Sequence, residues 1–229
     1  MLPDHLRAVC FDIGGVLAQV PRGFLAEELA DFLGTDQTWV RQLLIEHGKR
    51  HRTTASALAT AVATGCSTPG MAAQVEKIIL RRLDDMANPV LYPDAIPVLE
   101  ALSAAGWRIC FLSNGIGDAA SRSRPEYFSY AEVVAHSWEI GYCKPEAGAF
   151  RAAEQRMGLA PHQLVSIGDS LRTDVLGALA AGWSAVHLPR TSAPPPSPRV
   201  VPTISSLSEL LSLMPTRPAG VEIQGSRNR

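Results

Sequence analysis

The sequence predicts an α/β protein, a doubly wound parallel-sheet (Rossmann-like) core with a small all-helical insertion after its first strand. Two features of the chain carry that expectation. Short apolar runs rich in Val, Ile, Leu and Phe recur at Ala8 to Phe11, Arg108 to Leu112, Glu132 to Ala135, Leu164 to Ile167 and Ala185 to Leu188. Most do not alternate with polar residues, which suits strands covered on both faces, as parallel strands are. Between the later runs lie helical patterns that each stop at a glycine: Asp94 to Ala105 before Gly106, Ala147 to Met157 before Gly158, and Thr173 to Ala181 before Gly182. A glycine just past the last turn caps a helix because it enters the left-handed region without a Cβ penalty. Strands alternating with helices in this way imply right-handed crossovers.

From about Val20 to Pro93 the strand signal vanishes. Alanine-rich helical segments replace it at Phe24 to Leu33, Thr38 to Gly48, Thr54 to Thr64 and Met71 to Met86. The expected organisation is therefore a core of residues 1–19 and 94–214 and a helical cap of residues 20–93, with the alternative that the insertion is merely structural. Ala193 to Pro202 is proline-rich and reads as a surface loop before a last short strand. Ser205 to Leu213 reads as a closing helix. The polar, aperiodic segment 215–229 reads as a disordered tail.

Composition narrows the function classes. The chain has 229 residues, 46% of them hydrophobic and 19% charged, with a formal net charge of -1. That balance gives no electrostatic reason to expect a nucleic acid or an acidic membrane surface as partner. The dense basic run Lys49 to Arg52 reads as a solvated helix end. No stretch reaches the roughly 18 to 20 apolar residues of a membrane span, and Asp4, Arg7 and Asp12 interrupt any signal-peptide pattern. Cys10, Cys66, Cys110 and Cys143 are scattered, with Cys10 and Cys110 inside expected strands, so buried free thiols and a cytoplasmic setting fit. The six histidines show no metal-ligand spacing, and a zinc site is not expected.

Open α/β sheets bind ligands just beyond the carboxyl ends of their strands. Four such places carry polar residues of complementary kinds. AVCFDIGGVL puts Asp12 after the first strand, followed by Gly14 and Gly15. ICFLSNG puts Ser113 and Asn114 after the second. GYCKPEAGAF puts Lys144 before a helix, and LVSIGDSLRTDVLGALAAGW puts Asp169 after another strand with Asp174 five residues on. Singly each is ordinary: an Asp after a strand caps helices, a Ser-Asn pair makes turns, and a lone Lys is solvated. Their joint occurrence in this order is the signal.

With these motifs the chain resembles the haloacid dehalogenase superfamily, in its phosphatase-like branch with a helical cap, over residues 6 to 188. The FDIGGVL form is similar to a subgroup acting on small phosphorylated metabolites, sugar phosphates included. The resemblance implies a magnesium-dependent hydrolase of small phosphorylated substrates. A carboxylate attacks an anionic ester only if a metal and cations neutralise the charge between them. Asp12 is then the nucleophile, forming an aspartyl-phosphate that water hydrolyses. Mg2+ prefers hard oxygen ligands; Asp12, Asp169 and the Gly14 carbonyl would hold it, with Asp174 steadying a metal-bound water or Lys144. Lys144 would offset charge and contact the phosphoryl group, and Ser113 and the Asn114 backbone would donate to its oxygens.

One position departs from the family pattern. Most phosphatases of this family carry an aspartate where Gly14 stands, acting as acid toward the leaving alcohol and then as base toward water. Such proton transfer contributes about 10²- to 10⁴-fold. Three accounts stay open: a proton relay from another group, such as one on the cap; a substrate with a good leaving group, such as a sugar 1-phosphate; or a phosphometabolite-binding protein without turnover. A dehalogenase reading also uses an aspartate nucleophile, but it leaves Asp169 without purpose. Phe24, Trp39, His47, Arg50 and Arg52 are the aromatic and cationic candidates for substrate recognition on the cap, and Arg122 to Tyr130 is a candidate for the entrance. Oligomeric state is not readable.

Overall fold

The computed structural model describes residues 1–20, 23–118, 125–190 and 201–216. The strands in chain order are β1 (Ala8–Phe11), β2 (Arg52–Thr53), β3 (Arg108–Ser113), β4 (Gly117–Asp118), β5 (Val133–His136), β6 (Leu164–Gly168) and β7 (Ser184–His187). Among the described residues, five of them form one parallel sheet in the order β5-β3-β1-β6-β7. The expected α/β class and the five expected core strands are borne out, with ends displaced by a residue at most.

Every residue of β1 and β6 is buried, as the unalternating runs require. One face of the sheet carries Val9, Phe11, Ile109, Phe111, Val165, Ile167 and Val186 against helix α5 (Ala95–Ala104) and the closing helix α9 (Ser208–Leu213). The other carries smaller groups, Ala8, Cys10, Cys110, Ala135 and Ala185, which meet Phe150, Ala153 and Met157 of α7 (Ala147–Met157). All four cysteines are free thiols, and Cys10, Cys110 and Cys143 are buried. A four-residue helix α6 (Ser137–Ile140) follows β5, and α8 (Gly177–Ala180) follows β6. The expected helix Thr173 to Ala181 differs from what forms: its first part is a wider π-type turn, Leu171–Leu176, and only Gly177–Ala180 is α-helical.

Between β1 and α5 run α1 (Leu25–Leu33), α2 (Gln37–Leu44), α3 (Ala55–Gly65) and α4 (Ala72–Ala87). Their apolar faces, including Leu29, Val40, Leu44, Leu58, Val62, Val75 and Ile79, form a separate cluster that also takes in Ile116 from the loop after β3. Asp36 and Thr54 cap α2 and α3, accepting from the backbone N–H of Trp39 and Ala57. The chain leaves α2 through a second π-type turn, Ile45–Lys49, and reaches β2, which pairs in parallel with β4. Neither that ladder nor either π-type turn has a periodic signature in the sequence. No helix among the described residues is long and apolar enough to cross a membrane.

The return from the helices to the core is held by an ion pair. Arg190 donates to both oxygens of Asp94 (2.6 and 3.1 Å) and to the Val16 carbonyl (3.1 Å), with its guanidinium 3.9 Å from the Tyr92 ring centroid. Asp94 in turn accepts from the Leu207 backbone N–H (2.8 Å) at the entry to α9. The proline-rich loop up to Arg199 and Val200, and nearly all of the expected tail, lie outside the described residues, as does the Arg122 to Arg124 part of the expected entrance segment.

Both partners of this pair are largely buried. Truncating one member of such a pair strands the other without water, so Arg190→Ala is expected to cost about 3 kcal/mol in urea unfolding. Arg190→Lys should recover only part of that, because an ammonium cannot reproduce the two-pronged contact.

Candidate active site

Parallel strands present all their carboxyl ends at one edge of the sheet. β1 lies in the middle with β3 and β6 as neighbours, and the strand order runs outward from it in opposite directions. A crevice opens at such a reversal point. Asp12 follows β1 there and donates its backbone N–H to the Ile167 carbonyl of β6 (3.0 Å). Asp169 follows β6, and Ser113 ends β3.

The structure brings Asp12, Asp169, Asp174 and Lys144 together. The Lys144 ammonium lies 2.9 Å from Asp12 Oδ1 and 2.6 Å from Asp174 Oδ1. Asp12, Asp169 and Asp174 each offer a carboxylate oxygen within 4.8 Å of the others'. Asp174 is held from its other side, where Oδ2 accepts the Ser170 N–H (3.1 Å). His187 donates from Nε2 to the Asp169 carbonyl (2.9 Å), fixing the chain at the end of β6.

Asn114 has a role that sequence reasoning missed. Its side-chain amide donates to the Lys144 carbonyl and accepts from the Lys144 N–H, both at 2.8 Å. Its side chain therefore positions Lys144, and its backbone is the part left to meet a ligand. A short polar residue right after β3 was the available signal. Ser113 sits partly buried at the same strand end.

Two glycines are required by close approach. Gly15 has φ +81°, and a Cβ there would overlap the Asp169 carboxylate. A Cβ on Gly168 would overlap Asp174. Gly14 differs: a Cβ would meet only Val20 Cγ2, at an ordinary 3.5 Å, and its φ is not left-handed.

Charge on the cluster is unbalanced: three carboxylates face one ammonium in a largely buried place. Burial raises the Asp12 carboxyl to about 6, with Lys144 lowering it and Asp174 raising it. Burial, then the charges of Asp12 and Asp174, raises Asp169 to about 7. Burial alone would lower the Lys144 ammonium, but Asp12 and Asp174 more than offset that and hold it protonated. A surplus of buried carboxylate oxygens is a donor set suited to a hard divalent cation.

The basic run at 49–52 ends the π-type turn after α2 with Arg50, His51 and Arg52 exposed, as a solvated helix end would be, but it also makes contacts that the sequence did not suggest. Arg50 pairs with Glu146 (2.7 Å), and the Arg52 guanidinium lies 4.3 Å from the Trp138 ring centroid, so the run crosses to the core. Of the other recognition candidates, Phe24 is exposed, and Trp39 donates its indole N–H to the Gly65 carbonyl (2.9 Å) within the helical block. His47 lies partly buried in the π-type turn.

Fold and site together define an open α/β protein with a carboxylate–ammonium cluster at the strand reversal point. A family model for haloacid dehalogenase-like hydrolases matches residues 6–182, and the chain belongs to that family. It is 32% identical over 116 residues to "Enolase-phosphatase E1" of Nocardia farcinica, covering 47% of this chain and 48% of that protein. The chain thus spans about half the length of that curated relative. It is 27% identical over 228 residues to "(S)-2-haloacid dehalogenase 1" of Pseudomonas sp., covering 91% and 97% of the two chains. Among solved structures, one titled "Crystal Structure analysis of a Dehalogenase" covers 95% of this chain and 100% of its own, with a TM-score of 0.65 at 22% identity, a likeness of fold.

The two adjacent glycines should respond oppositely. Gly14→Ala is expected to be neutral or stabilising by up to about 1 kcal/mol, because it removes unfolded-state freedom without a clash. Gly15→Ala should cost about 1–3 kcal/mol from backbone strain alone, with added loss from displacing Asp169. Denaturant melts of the two variants beside the parent check this.

Proposed function

We propose that this chain is a magnesium-dependent phosphomonoester hydrolase that works through an aspartyl-phosphate on Asp12, with residues 20–93 capping the site. The observation that carries this is the third carboxylate: Asp169 adds negative charge beside Asp12 and Asp174 that Lys144 alone does not balance. Asp12, Asp169 and Asp174, with the Gly14 carbonyl, are the residues to hold or steady the cation. Bound Mg2+ would screen the repulsion between phosphoryl oxygens and the attacking carboxylate.

The chain's own groups do the rest. Lys144 holds one oxygen of Asp12 and contacts the phosphoryl group, leaving the other oxygen to attack phosphorus. Ser113 and the Asn114 backbone N–H donate to the phosphoryl oxygens, and Asn114's side chain keeps Lys144 in register with them. Small phosphorylated metabolites, sugar phosphates among them, are the substrate class. Similarity to phosphatases over half the chain agrees with this reading.

Halide displacement from a 2-haloacid is the second reading, favoured by the nearly full-length similarity to a dehalogenase. It gives the charge of Asp169 no task. A phosphomonoester panel and a 2-haloacid panel, each run with Mg2+ and with chelator, separate the two. Phosphate release that needs Mg2+ and is lost in Asp12→Asn is expected; halide release that persists in chelator would establish the second reading instead. A protein that binds phosphate esters without turning any over would be a sensor.

Cation binding has its own pH signature. The Asp12 and Asp169 carboxyls, at about 6 and about 7 when folded, hold protons more tightly than in the unfolded chain. Without a cation, their contribution to stability is full below about pH 4 and is lost as pH rises through 6 to 7. Mg2+ competes with those protons, so it should raise Tm clearly at pH 8 and scarcely at pH 5. An equal rise at both pH values would mean that the cation binds elsewhere.

A further inference from the structure

The one task of Asp169 in the proposed reaction is to hold the cation, and its direction depends on the backbone that carries it. The chain holds that backbone beyond the point where the sheet ladder ends. Three successive carbonyls at the end of β6 each accept a hydrogen bond. Ile167 accepts from the Asp12 N–H on the β1 side (3.0 Å), and Gly168 from the Leu188 N–H on the β7 side (2.8 Å). The third, Asp169, lies past the ladder and accepts from a side chain instead. That side chain is His187, through Nε2 (2.9 Å); His187 ends β7 and is the register partner of Gly168.

The other edge of the same peptide group is held as well. The Ser170 N–H donates to Asp174 Oδ2 (3.1 Å), and the other oxygen of Asp174 lies 2.6 Å from the Lys144 ammonium. A peptide group is planar. Fixing its oxygen from one side and its N–H from the other therefore fixes the plane in which the chain leaves Asp169, and with it the direction of the side chain. His187 is itself anchored, since its N–H donates to the Pro202 carbonyl and its carbonyl accepts the Ile204 N–H, both at 2.9 Å. The ring is buried, and Nδ1 has no hydrogen-bond partner among the described residues. A carbonyl only accepts, so Nε2 carries the proton of this bond.

We propose that His187 is a positioning residue of the cation site. By gripping the Asp169–Ser170 peptide opposite Asp174, it keeps the Asp169 carboxylate turned toward Asp12 and so sets the affinity for Mg2+. This rests on the hydrolase reading, in which Asp169 is a Mg2+ ligand. Groups that orient a ligand without touching the metal typically account for about 10- to 100-fold in metal affinity. Loss of His187 slackens Asp169 and leaves the pairing of Lys144 with Asp12 and Asp174 in place.

The test reads the Mg2+ dissociation constant from the rise of Tm with Mg2+ concentration at pH 8. The proteins are the wild type, Asp169→Asn, His187→Leu, His187→Asn and His187→Gln, each also melted in chelator. Asp169→Asn should lose most of the rise, which marks the cluster as the place of binding. His187→Leu should bind Mg2+ about 10- to 100-fold more weakly. His187→Asn, whose amide stops short of the place of Nε2, should be as weak; where His187→Leu fails to fold, His187→Asn carries the comparison. His187→Gln, whose amide nitrogen falls close to that place, should recover most of the loss. Phosphate release by His187→Leu should fall at limiting Mg2+ and return at saturating Mg2+. A merely structural histidine would lower Tm in chelator and leave the Mg2+ constant unchanged. That result, or a His187→Gln as weak as His187→Leu, overturns the inference and leaves the hydrolase reading standing. A wild type whose Tm ignores Mg2+, or an Asp169→Asn whose response is undiminished, overturns both.

Discussion

The constraint on which the site depends is the Lys144 ammonium held between Asp12 and Asp174 beneath the strand ends. Taking three ions out of water is expensive, and a buried ion pair seldom repays that cost in stability. The arrangement persists because the surrounding chain satisfies nearly every group in it. Asn114 fixes the Lys144 backbone from β3, Ser170 holds the far oxygen of Asp174, and Gly168 lets Asp174 lie against the strand end. Asp12 lies so close to Lys144 that the ammonium keeps one of its oxygens oriented. What the ion pair loses in stability it returns as a fixed direction for the other oxygen.

Topology explains why residues more than 150 positions apart in sequence share this place. Because β1 is central and both neighbours run parallel to it, the turn after β1 is flanked by the turns after β3 and β6. The chain crosses the sheet once in each direction to fill those two neighbouring slots. Insertion of helices immediately after β1 then leaves them beside the same edge, where Ile116 from the loop after β3 joins their apolar cluster. A helical insertion at any other edge of the sheet would not meet the site at all.

Much of this was legible in the sequence, for physical reasons that also mark the limits. Strands buried on both faces must be continuously apolar, so β1, β3, β6 and β7 announce themselves within a residue; the partly buried edge strand β5 does so too, through its run of Val133, Val134 and Ala135. Helices that end in a left-handed glycine do the same, as α7 does before Gly158. Asp12, Asp169 and Lys144 were found because each stands at a strand end or before a helix, and Asp174 because it follows Asp169 by five residues. What stayed hidden depends on distance in space. The π-type turn at Leu171–Leu176 is shaped by Asp174 reaching back over Gly168, and the β2–β4 pairing joins segments too short for any period to show. The contacts of the run from Lys49 to Arg52 stayed hidden because its partners, Cys143, Glu146 and Trp138, lie about 90 positions away.

The Gly14–Gly15 pair shows how far a sequence pattern can be divided once atoms are in place. The two residues look alike as letters, and both could be put down to a tight turn. Only Gly15 has a left-handed φ and a carboxylate against its missing Cβ. Gly14 has room and an ordinary backbone, so neither strain nor crowding within the described residues excludes a side chain from that position. The glycine at 14, two positions after Asp12, is therefore not one that the fold demands. A methyl group at 14 would rest against Val20 Cγ2 at an ordinary 3.5 Å. In the proposed reaction, with no side chain at 14, the leaving group's proton has to come from another part of the chain or from the substrate.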